Sequence, residues 1–151
     1  MVDKIYLKMH MSHREELRNE KEQLELIESR MSPKGQQIDG MPHSSRSQEA
    51  AYINDTFEKM EIEKKIQDLS ELVMEEFEVI NQIIDKLTVP DEKMVLKLRY
   101  FRCMEWSQIR GTLFQKRYDY SWNEEKYKDK VFKIHGAALK HLKEIQNEGN
   151  K

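Results

Sequence analysis

The side chains of this sequence best suited to chemistry are lysines and arginines concentrated in one short stretch. Positions 110–133 hold seven basic and four acidic residues, and clustered cations of this kind bind the phosphates of nucleic acids. A solvated lysine face on an ordinary helix has the same composition, so composition alone leaves both interpretations open. The candidate DNA contacts in this stretch are Lys116, Arg117, Lys126, Lys128, Lys130 and Lys133.

Other reactive side chains are too isolated to predict a catalytic or metal site. His10 and His13 are spaced for one helix face, but two such residues without further ligands are commoner on a surface than at a metal. Cys103 is the single cysteine, and we find no histidine, asparagine or aspartate arrangement that would activate it. We therefore expect no enzyme activity, no metal and no cofactor. A single cysteine also fits a cytoplasmic location.

The elements that must position these residues are helices. The sequence contains five glycines and three prolines, too few for the many turns of a sandwich or barrel. Apolar residues three and four apart predict C-terminal helices over 91–102, 106–114 and 123–147, the last preceded by a capping-box pattern at Ser121–Glu124. Three short helices ending in a basic one suggest a helix-turn-helix, whose last helix enters the major groove.

The N-terminal half predicts two longer helices, over 1–31 and 48–88, separated by a loop over 32–47 that is rich in proline, glycine and serine. An apolar stripe follows the second helix and is interrupted by Glu76, which either specifies pairing or faces solvent. Ile53, Phe57 and Met60 extend the stripe upstream. The stripe predicts oligomerisation through Ile66, Leu69, Val73, Ile80, Ile83 and Leu87.

These elements together predict an all-α protein with two regions. Residues 1–89 would form a long antiparallel helical hairpin that resembles a coiled coil, and residues 90–151 would form a three-helix DNA-binding domain. Charge divides the same way: residues 48–90 carry a net charge of −7 and residues 91–151 a net charge of +5, within a total of −2. Since DNA repels an acidic helix, the first region is expected to serve assembly and the second to face nucleic acid.

Three motifs carry a resemblance to a known family. Asp91–Phe101 (DEKMVLKLRYF), Glu105–Ile109 (EWSQI) and Lys130–Leu142 (KVFKIHGAALKHL) resemble the successive helices of sigma-factor region four. With a helical N-terminal half and the sequence Gly40-Met41-Pro42, the chain resembles phage and prophage late-gene regulators of Gram-positive bacteria, of the RinA/ArpU type. The resemblance implies a helix-turn-helix, in which His135 packs or contacts a phosphate. We add Trp106 and Gln108 of the second helix to the candidate DNA contacts.

The chain departs from the family pattern between the second and third helices. Leu113 and His135 are 22 positions apart, where the family has about ten, so residues 115–126 are an insertion. The insertion would lengthen the last helix, form a wing over DNA, or block DNA binding. Its aromatic side chains would stack on bases if exposed or pack under the helices if buried. These side chains, with one from the following helix, are Tyr118, Tyr120, Trp122 and Tyr127.

The function expected from this pattern is that of a sequence-specific, DNA-binding transcriptional regulator of phage origin that controls late genes. Its partners would be double-stranded DNA, host RNA polymerase and a second copy of the chain, in a dimer. No apolar run approaches the length of a membrane span, so no membrane partner is expected. Two alternatives stay open: a DNA-packaging subunit similar to a small terminase, and a helical adaptor that mimics a sigma-factor domain without binding DNA.

Overall fold

The computed structural model describes residues 1–32 and 45–151, and within these residues the chain forms helices joined by short turns, with no β-strand. The predicted all-α class is therefore confirmed. Short π-helical and 3-10 turns cover Lys97–Phe101 and Tyr120–Trp122. The α-helices are α1 (Lys4–Met31), α2 (Ser45–Ile84), α3 (Pro90–Leu96), α4 (Trp106–Phe114) and α5 (Glu124–Gly149).

Local sequence signals explain most of these boundaries. Pro90 is the first residue of α3, where its missing N–H costs nothing, and α4 has the bounds that the apolar spacing predicts. The predicted loop over 32–47 falls largely on residues 33–44, outside the described residues, and α2 already begins at Ser45. The predicted capping box is wrong: Asn123 is the N-cap of α5, without a side-chain cap, because Ser121 lies inside the preceding 3-10 turn.

The described chain divides into two compact units. The larger unit combines Met1–Arg14 with Val73–Lys151, and the smaller unit is Glu15–Leu72. Helices α1 and α2 each contribute to both units. The predicted division at residue 90 stays a prediction. None of the helices in the described ranges is long and apolar enough to cross a membrane.

The core of the larger unit holds its N-terminal segment against α5. The Val2 N–H donates to Gln146 Oε1 at 2.7 Å, and Gln146 Nε2 donates back to the Val2 carbonyl at 2.8 Å. The π-helical turn buries the adjacent residues Tyr100 and Phe101, whereas Met94 is exposed. One cluster of buried residues contains Val2, Leu7, Ile80, Ile84, Leu87, Leu96, Tyr100, Phe101, Ala138 and Leu142. A second contains Val95, Ile109, Phe114, Tyr127 and Val131.

Ion pairs between an exposed cation and a half-buried carboxylate join the two helices of the smaller unit. Arg30 pairs with Asp55 at 3.0 Å, and Lys65 pairs with Glu20 at 2.9 Å. The order of the partners is reversed along the two helices, which is the order of antiparallel neighbours. Ile27 and Leu69 are buried between many exposed neighbours. The upstream extension of the apolar stripe is wrong, because Ile53, Phe57 and Met60 are each more than half exposed.

The six residues predicted for oligomerisation are largely covered within a single chain. Leu69, Val73, Ile80 and Leu87 are buried, while Ile66 and Ile83 are half-buried. Ile80 and Leu87 lie in the same core cluster as Ala138 and Leu142 of α5. Oligomerisation through this stripe stays a prediction, and Ile66 and Ile83 are its most accessible members.

Candidate nucleic-acid interface

Helix α5 separates a buried apolar face from a basic one. Tyr127, Val131, His135, Ala138 and Leu142 recur every three or four residues and are buried. Lysines occupy the opposite side with the same periodicity, at positions 126, 130, 133 and 140, and all four are exposed. We call Lys126, Lys130, Lys133 and Lys140 the lysine face. Lys128 is also exposed but lies on a different side of α5, because the two residues that separate it from Lys126 and from Lys130 turn the helix by about 200°.

The lysine face is only partly neutralised. Lys128, Lys130 and Lys133 form no ion pair with any residue that the structure describes. Lys126 Nζ lies 3.5 Å from Asp119 Oδ2, and Lys140 Nζ lies 4.0 Å from Glu144 Oε1. Such exposed pairs are weak. Uncompensated ammonium groups on one helix face provide the charges that bind a phosphate backbone.

Lys116 and Arg117 lie between α4 and α5, and both are exposed. The chain turns there through a hydrogen bond from the Arg117 N–H to the Phe114 carbonyl, at 2.9 Å. Of the predicted DNA contacts, these two therefore lie on the connection and four lie on α5.

The two candidates on α4 have local structural roles. Trp106 is half-buried, with its ring 4.8 Å from His135 and 5.2 Å from Phe132, measured between centroids. The Arg99 guanidinium carbon lies 4.8 Å from the Trp106 ring centroid. Gln108 Oε1 accepts a hydrogen bond from the Glu105 N–H at 2.9 Å, which helps to cap α4. The Trp106 ring contacts pack α4 on α5, whereas the Gln108 hydrogen bond acts at the start of α4 itself.

The inserted connection is anchored by a buried acid that the sequence analysis did not identify. Asp119 is only 7% exposed and accepts hydrogen bonds from the Tyr127 hydroxyl and from Asn123 Nδ2. The Tyr127 hydrogen bond holds the pKa of Asp119 below its ordinary value. Arg110 Nε donates to the Tyr120 hydroxyl at 3.1 Å. In the sequence, Asp119 is marked only by its position between two tyrosines, and this pattern does not indicate which residues it would contact.

The aromatic cluster divides between both predicted environments. Tyr127 is buried and Tyr120 half-buried, and their ring centroids are 5.7 Å apart. Tyr118 and Trp122 are 87% and 67% exposed and contact each other edge to face, with centroids 6.3 Å apart. Two aromatic rings therefore pack beneath the connection, and two lie on its surface.

His135 packs in the core of the larger unit. It is 7% exposed, and its Nε2 lies 2.8 Å from the Tyr100 hydroxyl. Burial, followed by the positive charges of Lys4, Arg99 and Lys8, lowers the pKa of His135 to about 4. The ring is therefore neutral at pH 7, and its Nε2 shares a hydrogen bond with the tyrosine hydroxyl.

A buried glutamate joins the two N-terminal histidines. Glu76 is 4% exposed, with its carboxylate 2.6 Å from His13 Nδ1 and 3.4 Å from His10 Nδ1. The interpretation of Glu76 as a solvent-facing break is therefore wrong. Assignment of His10 to the surface is also wrong, because His10 is fully buried and its burial lowers its pKa. Among the described residues, no cluster of three or more histidine, cysteine, aspartate or glutamate side chains is arranged to hold a metal ion.

Comparison with known proteins gives no relative for this chain: no protein-family model, curated protein or solved structure matches it. The likeness to sigma-factor region four stays an expectation drawn from the three motifs.

Proposed function

We propose that this protein is a sequence-specific DNA-binding transcriptional regulator of phage origin, acting in the cytoplasm on late genes. Helices α4 and α5 would form its helix-turn-helix, with the first half of α5 in the major groove. The observation that carries the proposal is the division of α5 into a buried apolar face and an exposed lysine face with uncompensated charges.

The packing of α4 supports this arrangement. Ile109 of α4 and Val131 of α5 are fully buried in one core cluster, and Trp106 adds ring contacts to the same helix. A recognition helix needs such support on one side, because its other side must stay free for DNA. Lys133 lies on that free side, and exposed Lys130 lies at its border with α4, with its Nζ 5.3 Å from the ring centroid of Phe114.

The acidic segment 48–90 is proposed to serve protein contacts rather than DNA. Its net charge of −7 disfavours approach to a phosphate backbone. A second copy of the chain, giving a dimer, and host RNA polymerase are the proposed partners. Dimerisation would place two copies of α5 on a two-fold symmetric operator.

The test begins with selection of a binding site from random duplexes, followed by anisotropy measurements at several salt concentrations. The triple variant Lys128→Ala, Lys130→Ala and Lys133→Ala removes three unpaired charges. We expect affinity to fall by roughly ten- to a hundredfold, and the slope of log affinity against log salt to flatten by about three. These lysines are exposed, so the melting temperature should hardly change.

The matched control removes three exposed lysines elsewhere that also have no ion pair in the described ranges: Lys21→Ala, Lys64→Ala and Lys86→Ala. Both variants change the net charge equally, so only a local interface distinguishes them. Equal DNA affinity and equal salt slopes for the two variants would refute α5 as the DNA-binding helix.

A second candidate function is a helical adaptor that contacts RNA polymerase without binding DNA. The observation that favours it is the start of α5, where Glu124 and Glu125 are exposed in the first turn. Two carboxylates there oppose phosphates close to where a recognition helix approaches DNA. No selected duplex, together with retained capture of purified polymerase, would favour the adaptor over the regulator.

A further inference from the structure

A small basic pocket lies in the larger unit, apart from the lysine face of α5. It encloses about 150 Å³ between the first turns of α1, the π-helical turn and the start of α4. None of its lining residues is acidic. The lining residues are Lys4, Lys8, Met11, Arg99, Tyr100 and Trp106.

Three cations converge on this pocket without a carboxylate partner. Lys4 and Lys8 are one helical turn apart on α1, are exposed, and form no ion pair with any described residue. Arg99 is half-buried and fixed, since its Nη1 donates to the Met104 carbonyl at 2.8 Å. Its guanidinium is also held against the Trp106 ring. The pocket therefore has one preorganised cation and two adjustable ones.

The three cations also act on a buried residue behind the pocket, His135. Lys4, Arg99 and Lys8 all disfavour protonation of His135, in addition to the effect of its burial on its pKa. His135 contacts two of the lining residues, Tyr100 and Trp106. The two contacts and the shared effect of the cations place His135 directly behind the pocket.

We propose that this pocket binds a phosphate group. A phosphate carries up to two negative charges and several strong acceptor oxygens, and it can accept hydrogen bonds from an arginine fork and two ammonium groups together. A carboxylate has one charge and would leave more of the positive cluster uncompensated. The group could belong to a DNA backbone or to free phosphate and small phosphate esters. The inference stands independently of the role of α5.

Trp106 provides a direct readout of binding. The sequence has two tryptophans, and Trp122→Phe leaves Trp106 as the only one. Trp122 is exposed and its ring contacts Tyr118, so this background should fold normally. Inorganic phosphate, titrated into this variant against chloride at constant ionic strength, should change Trp106 emission with saturation in the millimolar range. A linear response equal to that of chloride would overturn the proposal.

His135 provides a second readout that needs no substitution. A bound anion offsets the field of the three cations, so the His135 resonances should titrate at a higher pH in saturating phosphate. The direction follows from the sign of the cations, which lower the pKa of His135 in the unliganded protein. An unchanged titration of His135 in phosphate would contradict binding at this pocket.

The variant Lys4→Ala with Lys8→Ala tests the residues themselves. Loss of two nearby charges should weaken phosphate binding by about tenfold or more. The control variant Lys21→Ala with Lys64→Ala makes the same charge change on exposed positions of α1 and α2 and should bind phosphate normally. Equal weakening in both variants would show general screening and overturn the pocket.

Duplex DNA distinguishes the two sources of phosphate. If the backbone supplies the group, DNA should displace inorganic phosphate, and the Lys4/Lys8 variant should lose DNA affinity with a flatter salt slope. If a small molecule supplies the group, the wild type should still bind inorganic phosphate in the presence of duplex DNA. The Lys4/Lys8 variant should then have the same DNA affinity as the wild type. Failure of the α5 triple variant to weaken DNA binding would refute the regulator but leave the phosphate pocket intact.

Discussion

The two compact units are stabilised in different ways. The larger unit buries clustered aromatic and aliphatic side chains, including fully buried Ile80, Leu96 and Ile109. The smaller unit buries Ile27 and Leu69 and adds ion pairs with an exposed cation, such as Arg30 with Asp55. Apolar burial contributes roughly 1.5–3 kcal/mol per large side chain, whereas exposed ion pairs contribute about 0–1 kcal/mol. Two units that are similarly rich in charged residues therefore differ in how much apolar surface stabilises them.

The largest expected effect comes from truncating the core of the larger unit. Ile80→Ala should lower the free energy of unfolding by about 2–5 kcal/mol, because it removes fully buried methyl groups and leaves a cavity. The matched change Ile53→Ala in the smaller unit affects a 52% exposed side chain and should cost about 0.5 kcal/mol or less. Urea denaturation measures both, and similar costs would remove the distinction between the units.

The next effect is the acid sensitivity of the larger unit. The pKa of His135 is about 4 in the folded chain and 6.5 when unfolded, so the unfolded chain binds more protons between these values. Stability from this residue is complete above pH 6.5 and is lost as pH falls towards 4, by about 3 kcal/mol. The measurement is the free energy of unfolding of the wild type and of His135→Gln, each determined at several pH values. The difference between the two curves should disappear if His135 is not buried.

A smaller, local effect is expected at the inserted connection. Asp119→Asn replaces the carboxylate that accepts hydrogen bonds from Tyr127 and Asn123. Hydrogen exchange should accelerate over residues 115–123, while the exchange of the Ile80 amide should stay slow. Asp129→Asn, an exposed acid on α5, is the control. Uniform acceleration across both regions would instead make Asp119 part of the global core.

Asp119 also gives a pH dependence of this local order. Its pKa is held below the ordinary value, so the stabilisation is present above the unfolded pKa of 3.8. It is lost as pH falls through the lower folded value. Exchange over 115–123 should therefore accelerate at strongly acid pH in the wild type, but change less with pH in Asp119→Asn.

The smallest effect is expected in the ion pairs of the smaller unit. Arg30→Ala removes contacts with Asp55 and Glu58 and should cost about 0.5 kcal/mol at low salt. The cost should vanish in about 1 M salt, where charges are screened within roughly 3 Å. Arg18→Ala, which loses a longer contact of 4.0 Å with Glu22, is the comparison. A large, salt-independent cost for Arg30→Ala would place it among the core residues.

Sequence patterns predicted the bounds of α4 and, to within two residues, those of α5, because both depend on spacings of three and four within one helix. The pattern failed where one local signal competed with another. Ser121 matched a cap, but Asn123 takes that position because a 3-10 turn precedes α5. Ile53, Phe57 and Met60 looked like stripe residues, but the side of α2 that packs lies elsewhere.

The candidate site could be predicted only as a list of lysines. That Lys130 and Lys133 are exposed follows from the helical period of α5. That Trp106 packs on His135, and that Gln108 caps its own helix, depends on how α4 is placed. Lys4 and Lys8 gave no signal at all, since they lie more than ninety positions from Arg99 and Trp106 in the sequence.

The sequence by itself determined the all-α class, the positions of the helices and the basic side of α5, because each follows from local propensity and periodicity. Three features depend on tertiary packing. Glu76 is buried against His10 and His13, Val2 is hydrogen-bonded to Gln146, and three cations line one pocket. The physical reason is range. Periodicity reports on neighbouring residues of one helix. These contacts join segments far apart in the sequence, and a local pattern does not specify which distant segments pack together.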